Sequence, residues 1–295
     1  MEAGSQKLYA VFMRQYLNVL KKVMDEGSDR MDRTGVGTRA LFGLQMRFNM
    51  ADGFPALTTK KLAFKAVKSE LLWFLEGSND DARLRELNGS EKTIWTANLE
   101  ADYWKPKRAH ETDLGRIYGV QWRAWKKPDG TTVDQLAGVI EKIKTNPYDR
   151  RLIVSAWNPG ELDQMALPPC HMFFQFFVAP SSSLGQAGKL SLFMHQRSCD
   201  MFLGVPFNIA SYSLLLHMVA QVTNLKPHEF IHSLGDAHIY KNHFEQVKEQ
   251  LAREPLPPPT LWLNPKIKDI DSFTMDDIKL EGYESHPPIK ATMAV

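Results

Sequence analysis

The chain has 295 residues, of which 43% are hydrophobic and 24% are charged, and this composition is typical of a globular protein with a large core. Its formal net charge of +2 excludes a strong overall attraction to nucleic acid or to an anionic membrane surface. Two cysteines cannot form a disulfide framework, and neither a secretory signal nor an apolar run long enough to span a bilayer is recognisable, so we expect a cytoplasmic protein.

Hydrophobic periodicity predicts helices and strands in mixed order along a single domain that covers residues 1–295. The predicted helices are residues 9–24, residues 64–76, a helix that starts in a capping box formed by Thr132 and Gln135, residues 209–223 and residues 242–252. The predicted strands are residues 41–48, 151–157, 172–178 and 189–196. Without an internal repeat or a break in composition, one α+β domain is the simplest interpretation.

The last two predicted strands form a hairpin that places a cysteine beside an arginine. If Val178 pairs with Lys189, the antiparallel register sets Cys170 opposite Arg197, with Cβ atoms about 5 Å apart. A guanidinium at that distance favours the thiolate, which is the nucleophilic form of cysteine. The alternative is that Cys170 is a small buried hydrophobic residue. The prolines before the cysteine and the arginine in register favour an activated nucleophile.

Four arginines stand where surface solubility explains them poorly. Arg33 lies in a glycine-bearing turn, Arg150 and Arg151 precede a predicted buried strand, and Arg197 ends the hairpin. Arginine matches phosphate oxygens with two parallel hydrogen bonds, so these side chains predict a phosphate site. Structural salt bridges are the alternative for each of them. No Walker A sequence occurs, which disfavours hydrolysis of a nucleoside triphosphate.

Two polar residues interrupt otherwise apolar segments. Glu70 lies within the helix predicted for residues 64–76, where it is either a satisfied core carboxylate or a general acid or base with a raised pKa. Asn208 lies at the entrance to the helix predicted for residues 209–223, where it either caps that helix or offers a donor and an acceptor to a heterocycle.

The segment 228–232, HEFIH, matches the zinc-protease pattern in its letters. That motif binds zinc only on a helix, where residues four apart share a face. Pro227, Phe230 and Ile231 favour a strand here, and on a strand the two histidines would be about 13 Å apart. We therefore expect no metal site.

Taken together, these motifs resemble thymidylate synthase, from near residue 8 to Val295. The resemblance depends on residues 32–35 (DRTG), 70–75 (ELLWFL), 118–123 (YGVQWR), 150–151 (RR), 167–171 (LPPCH), 196–200 (QRSCD), 206–208 (PFN) and 235–240 (GDAHIY). It implies an α+β fold in which helices cover one face of a large mixed β-sheet and the other face packs against a second copy in an obligate homodimer. Neither a membrane nor a nucleic acid is implied for catalysis.

The resemblance also implies a reaction in which dUMP and 5,10-methylenetetrahydrofolate, as co-substrate, give dTMP and dihydrofolate without a metal. The nearest alternative is a dUMP hydroxymethylase of the same fold, in which water replaces hydride. Trp95 and Val295, which would exclude water, favour the synthase. A Cys-His hydrolase would not need four arginines, and a nucleic-acid-binding protein is disfavoured by the near-neutral charge.

Roles for individual residues follow from the resemblance. The implied catalytic residues are Cys170 as nucleophile, Glu70 and Tyr118 for proton transfer, and Arg197, Asp200 and Asn208. The implied dUMP site consists of Arg33, Arg197 and Ser198, with Arg150 and Arg151 from the second subunit, Asn208 at the uracil, and His238 and Tyr240 at the sugar. The implied folate site consists of Lys60, Trp95, Asp200, Leu203, Phe207 and Val295. Three features depart from the family: Thr96 replaces a commonly acidic residue, residues 99–113 match no recognisable pattern, and residues 291–295 (ATMAV) vary from the common Ala-Pro-Val-Ala ending but keep a terminal apolar residue.

Overall fold

The computed structural model describes residues 2–32, 34–181 and 187–292, with the backbone alone for residues 2–12. The helices are α1 (Glu2–Glu26), α2 (Phe64–Leu75), α3 (Asp81–Asn88), α4 (Thr96–Leu99), α5 (Tyr118–Arg123), α6 (Gln135–Thr145), α7 (Gly204–Val222) and α8 (Phe244–Leu251). The strands are β1 (Ser28–Arg30), β2 (Thr38–Asn49), β3 (Trp125–Lys126), β4 (Thr132–Val133), β5 (Ile153–Ser155), β6 (His171–Ala179), β7 (Lys189–Asp200), β8 (Lys226–Tyr240), β9 (Thr260–Leu263) and β10 (Ile278–Glu281).

A six-stranded sheet in the order β1-β2-β8-β7-β6-β5 forms the centre of the fold. Strands β7 and β8 run parallel and the other neighbours run antiparallel, so the sheet is mixed, as predicted. Helix α7 packs on β7 and β8, and α1 packs on β2. The connection through α7 is the helical crossover that a parallel pair requires.

The two faces of the sheet differ in burial because side chains alternate along each strand. One row crosses the sheet from β5 to β2 and is fully buried: Val154, Phe174, Met194, His232 and Met46. The neighbouring row points to the other face: Ile153, Gln175, Phe193, Ile231 and Arg47. On that second face Ile153 is 42% exposed and Phe177 is 66% exposed, so these two apolar side chains are not covered by the described part of the chain.

Helix α7 is the core helix that the sequence predicts. It is long and apolar enough to span a membrane by length and composition, but 78% of its most apolar window is buried inside the protein, which is typical of a core helix. Pro206 lies in its first turn, where a backbone N–H would have no acceptor within the helix, so proline costs no hydrogen bond there.

The hairpin confirms the predicted pairing of Cys170 with Arg197 but reaches it by a different register. Val178 pairs with Leu190, not with Lys189, so the predicted register is wrong by one residue at the loop end. A β-bulge between His171 and Phe173 then inserts one residue and restores the predicted partners at the other end. The Arg197 backbone N–H accordingly donates to the Cys170 carbonyl at 2.8 Å.

Two local predictions are wrong. The predicted buried strand 151–157 is a strand only over β5, at the edge of the sheet, and burial alternates along it: Leu152, Val154 and Ala156 are buried, whereas Ile153 is exposed. The predicted capping box of Thr132 and Gln135 does not form, because Thr132 belongs to β4. Helix α6 is instead capped by Asp134, whose carboxylate accepts a hydrogen bond from the Ala137 N–H at 2.9 Å.

The Asp134 cap predicts a measurable loss of stability. Replacing Asp134 by Ala should lower the free energy of unfolding by about 1 kcal/mol, because one N-terminal N–H of α6 loses its acceptor. Asp134→Asn keeps a capping oxygen but loses the ion pair with Arg123, so this control separates the two contributions. Denaturant titration should rank the Asn variant above the Ala variant; equal stabilities would contradict the cap assignment.

Candidate active site

A cleft of about 580 Å³ opens where β7 and β8 end and β6 begins. The residues that line it are Arg30, Asp32, Thr38, Tyr103, Leu167, Pro168, Cys170, Arg197, Ser198, Asp236, His238 and Tyr240. Five residues predicted from the sequence therefore share one cleft: Cys170, Arg197, Ser198, His238 and Tyr240. Of the remaining predicted residues, Arg33 and Val295 lie outside the described part of the chain.

Cys170 is half-buried, takes part in no disulfide and immediately precedes β6. The Arg197 guanidinium donates from Nη2 to the Pro168 carbonyl at 2.9 Å and from Nε to the Pro169 carbonyl at 2.8 Å. It also lies 5.2 Å from the centroid of the Trp157 ring. Both acceptors are neutral carbonyls, and among the described residues Arg197 forms no salt bridge, so no carboxylate contacts its guanidinium in the cleft that it shares with Cys170.

Tyr118 is the first residue of α5, and its side chain contacts the backbone of Cys170. Its hydroxyl oxygen accepts a hydrogen bond from the Cys170 N–H at 2.6 Å. Its ring stacks on His171, with centroids 4.0 Å apart. Burial raises the pKa of Tyr118 well above its ordinary value, so the hydroxyl keeps its proton at neutral pH. His171 is also buried, and burial lowers its pKa to about 3, so this neighbour is a neutral ring.

Glu70 lies on α2 and is held by one aromatic residue. The indole Nε1 of Trp95 donates to Glu70 Oε1 at 2.7 Å. Burial raises the pKa of Glu70 from its ordinary 4.5 to about 7, although the bond from Trp95 opposes that rise. A carboxyl group with this pKa can both accept and donate a proton at neutral pH. Trp95 itself packs against Tyr118, with centroids 5.9 Å apart, which connects Glu70 to the cleft.

Asp200 ends β7 and shapes the turn into α7. Its Oδ1 accepts hydrogen bonds from the N–H groups of Phe202 at 3.0 Å and Leu203 at 3.1 Å. Lys60 is buried beneath this turn, where its ammonium donates to the Phe202 carbonyl and lies 3.5 Å from the centroid of the Phe202 ring. Burial lowers the pKa of Lys60 to about 8. A role of Lys60 toward a glutamyl tail stays a prediction, and it would require the ammonium to leave this contact.

Asn208 lies inside α7, not at its N-cap. The helix begins at Gly204, and Leu203 occupies the N-cap position without a side-chain hydrogen bond. The capping alternative for Asn208 is therefore wrong. Its carboxamide is half-buried and forms no hydrogen bond with any described residue, which leaves a donor and an acceptor for a ligand. Phe207, its neighbour, is partly buried against the core.

His238 and Tyr240 end β8 at the cleft with rings nearly perpendicular, 5.3 Å apart between centroids. The His238 Nδ1 lies 3.3 Å from Asp236 Oδ1. Asp236 also accepts from Arg30, and these two partners lower its pKa below the ordinary value. Sequence reasoning missed Arg30, because a three-residue exposed strand gives no signal. It also missed Asp236, although this residue lies within the GDAHIY segment.

Arg150 and Arg151 do not join Arg197 within one chain. Both are exposed in the turn before β5, and neither lines the cleft. Arg151 pairs with Asp149, with 3.0 Å between Nε and Oδ1. Their contribution from a second subunit stays a prediction.

The HEFIH segment lies in β8, which confirms the predicted strand. His228 Nδ1 lies 3.2 Å from the Ser191 hydroxyl, and the buried His232 Nε2 lies 2.8 Å from Gln196 Oε1. Each histidine thus has a side-chain partner other than a metal. Across residues 2–32, 34–181 and 187–292, no group of three His, Cys, Asp or Glu residues is arranged to hold a metal ion.

A family model described as thymidylate synthase matches residues 14–295, nearly the whole chain. The chain belongs to the thymidylate synthase family. Membership supports, at family level, a transferase of dTMP biosynthesis with a reaction of the dUMP methylation or hydroxymethylation type. The family uses a folate co-substrate. The cleft with Cys170 is the part of the described chain that combines a nucleophile with positively charged and acid-base groups.

The buried carboxyl of Glu70 predicts a pH-dependent stability. Its folded pKa of about 7 exceeds the unfolded value near 4.5, so the unfolded chain ionises first as pH rises between these values and the free energy of unfolding falls. Glu70→Gln removes this loss. Its stability relative to the native protein should therefore increase by about 2 kcal/mol between pH 5 and pH 7.5.

Denaturant titrations at several pH values measure this difference. Glu281→Gln, an exposed site on β10, is the matched control and should not change the pH profile. A Glu70→Gln profile parallel to that of the native protein would contradict the raised pKa.

Proposed function

We propose that this protein is a synthase that converts dUMP and 5,10-methylenetetrahydrofolate to dTMP and dihydrofolate through a covalent bond between Cys170 Sγ and C6 of uracil. The observation that carries the proposal is that Cys170 shares a cleft with Arg197, whose guanidinium is bonded to the carbonyls of the two residues before the cysteine and to no carboxylate. A positive group next to a thiol favours the thiolate, and the thiolate is the attacking species.

Side chains of this protein can be assigned to the steps of the proposed reaction. Cys170 adds to C6, and the electron pair moves through C5 to O4, where the Asn208 carboxamide would donate. C5 captures the one-carbon unit as a methylene bridge to the folate and afterwards loses its proton, with Tyr118 next to Cys170 positioned to assist. The bond between the bridge and the folate nitrogen then breaks, which releases tetrahydrofolate and leaves an exocyclic methylene on C5. Glu70, with a pKa of about 7, exchanges protons with the pyrimidine through water. Hydride from the folate completes the methyl group, and elimination returns the Cys170 thiolate.

The charges in the cleft support a site that is completed by further arginines. Among its described residues, Arg30 and Arg197 are positive, and Asp32 and Asp236 are negative. These charges cancel, whereas the phosphate of dUMP carries nearly two negative charges at neutral pH. We propose that Arg33 and the Arg150 and Arg151 of a second copy supply the missing positive charge.

We further propose that the second copy covers the exposed face of the sheet. Phe177 and Ile153 are exposed there, and Phe193 and Ile231 continue the same face. A large apolar sheet face without cover is typical of a protein interface. Arg150 lies in the turn before β5, at the edge of this face, so an isologous dimer would carry it toward the partner. The cytoplasmic location also stays a prediction.

The rival reaction is hydroxymethylation, in which water attacks the exocyclic methylene. Trp95 is 4% exposed and packs with Trp73, Phe74 and Tyr118 into an aromatic cluster beside Glu70. Such a wall excludes bulk water and supports hydride transfer. Thr96 binds within its own segment, where its hydroxyl accepts from the Thr93 N–H at 2.9 Å.

The products decide between the two reactions. Purified protein with dUMP and methylenetetrahydrofolate should give dihydrofolate absorbance together with a nucleotide of the mass of dTMP. A hydroxymethyl nucleotide with tetrahydrofolate would overturn the synthase proposal.

Cys170→Ser should bind dUMP but lose turnover by about 10³-fold or more, because an alcohol is almost un-ionised at neutral pH. Cys199→Ser, at a buried sulfur, is the control.

The shared site predicts complementation between two inactive variants. Cys170→Ala and the double variant Arg150→Ala with Arg151→Ala should each be nearly inactive alone. After mixing with subunit exchange, about half of the dimers contain one of each chain, and one of their two sites is intact. Activity should then rise to about a quarter of the native value. Absence of recovery, with exchange verified by mass spectrometry, would contradict arginines that act across the interface.

A further inference from the structure

The segment 101–113, part of the stretch 99–113 that matches no family pattern, is fixed to the body of the protein by one tryptophan. Trp104 is 2% exposed, and its Nε1 donates to the Asp113 carbonyl at 2.8 Å. Its ring packs over Gly115, where an added Cβ would lie 2.6 Å from Trp104 Cη2 and 2.2 Å from the Gln164 carbonyl oxygen. This close contact requires glycine, so the segment has a defined position relative to residue 164.

Tyr103, the residue before Trp104, contacts Ala166 and the cleft. Its hydroxyl donates to the Ala166 carbonyl, and its ring lines the cleft that contains Cys170. Ala166 also forms a backbone hydrogen bond, because its N–H donates to the Leu114 carbonyl at 3.0 Å. Ala166 is therefore bonded through both its N–H and its carbonyl to the segment around residues 103–114.

Residues 166–170 lead directly to the nucleophile and lack regular structure. Pro168 and Pro169 have no N–H, so this strip is held mostly through its carbonyls. Arg197 binds the carbonyls of Pro168 and Pro169, and Tyr118 binds the Cys170 N–H. Tyr103 supplies a further side-chain contact, at the upstream end of the strip.

We propose that Tyr103 is a positioning residue for Cys170: its hydroxyl fixes Ala166 and so sets where the strip 166–170 presents the thiol. The kinetic part of this inference depends on the proposed synthase activity. Catalysis is sensitive to such placement, because a displacement of about 1 Å at a reacting group can cost about a hundredfold in rate. Substrate binding depends on other groups, so the effect falls on turnover.

Tyr103→Phe tests the inference, because it removes only the hydroxyl and keeps the ring that lines the cleft. Amide exchange measured by mass spectrometry should accelerate at least about fivefold in peptides that cover residues 166–171, and should not change in α6. With dUMP and methylenetetrahydrofolate, kcat should fall about tenfold while KM for dUMP stays within about twofold. Lys105→Gln, in the same segment with only exposed ion pairs to Glu100 and Asp102, should behave as the native protein.

Exchange at residues 166–171 that equals that of the native protein would overturn the inference, as would an unchanged kcat or an equal effect of Lys105→Gln. A fall in kcat matched by a proportional rise in KM would mean that Tyr103 only contacts the nucleotide. If the native protein catalysed neither methylation nor hydroxymethylation of dUMP, the proposed function would fail. Amide exchange would then still decide whether Tyr103 fixes residues 166–170.

Discussion

The placement of Cys170 depends on the two hydrogen bonds that Arg197 donates to the carbonyls of Pro168 and Pro169. Hydrogen bonds from a charged donor contribute about 1.5–3 kcal/mol each, more than neutral ones, so they can hold a strip that has few N–H groups of its own. They also place the guanidinium charge at the approach to the thiol. One side chain thereby fixes the position of the nucleophile and provides positive charge near it, while Tyr118 fixes the next peptide from the other side.

The charges in the cleft and the exposed sheet face both fit the proposed second copy. The positive and negative side chains that line the cleft cancel, and the sheet face next to Arg150 leaves Phe177 and Ile153 exposed. A second copy would supply cationic groups and cover for the apolar face through the same contact. The proposed dimer would account for the position of Arg150 and Arg151 outside the cleft of their own chain. In such a dimer, activity would depend on the association of the two copies.

The long elements could be predicted from the sequence, because their signals are strong and local. The apolar run of α7, the amphipathic α1 and the hairpin of β6 and β7 all lie where periodicity places them. The raised pKa of Glu70 was also foreseeable, since a carboxyl in an apolar helix loses hydration. The bulge at residue 172 was not, because it leaves no composition signal; it made a wrong register yield the correct partners. Arg30 and Tyr103 reach the cleft through tertiary contacts that no local pattern encodes.

The claim on which the account depends is that Arg197 makes the Cys170 thiol reactive, and the rate of thiol alkylation measures this directly. Cys199 is fully buried, so iodoacetamide at low concentration should modify Cys170 alone. If Arg197 has this effect, Arg197→Gln should lower the alkylation rate at pH 7 by about tenfold, and the rate should recover at higher pH, because thiolate is the reacting species. An alkylation rate at pH 7 equal to that of the native protein would contradict it.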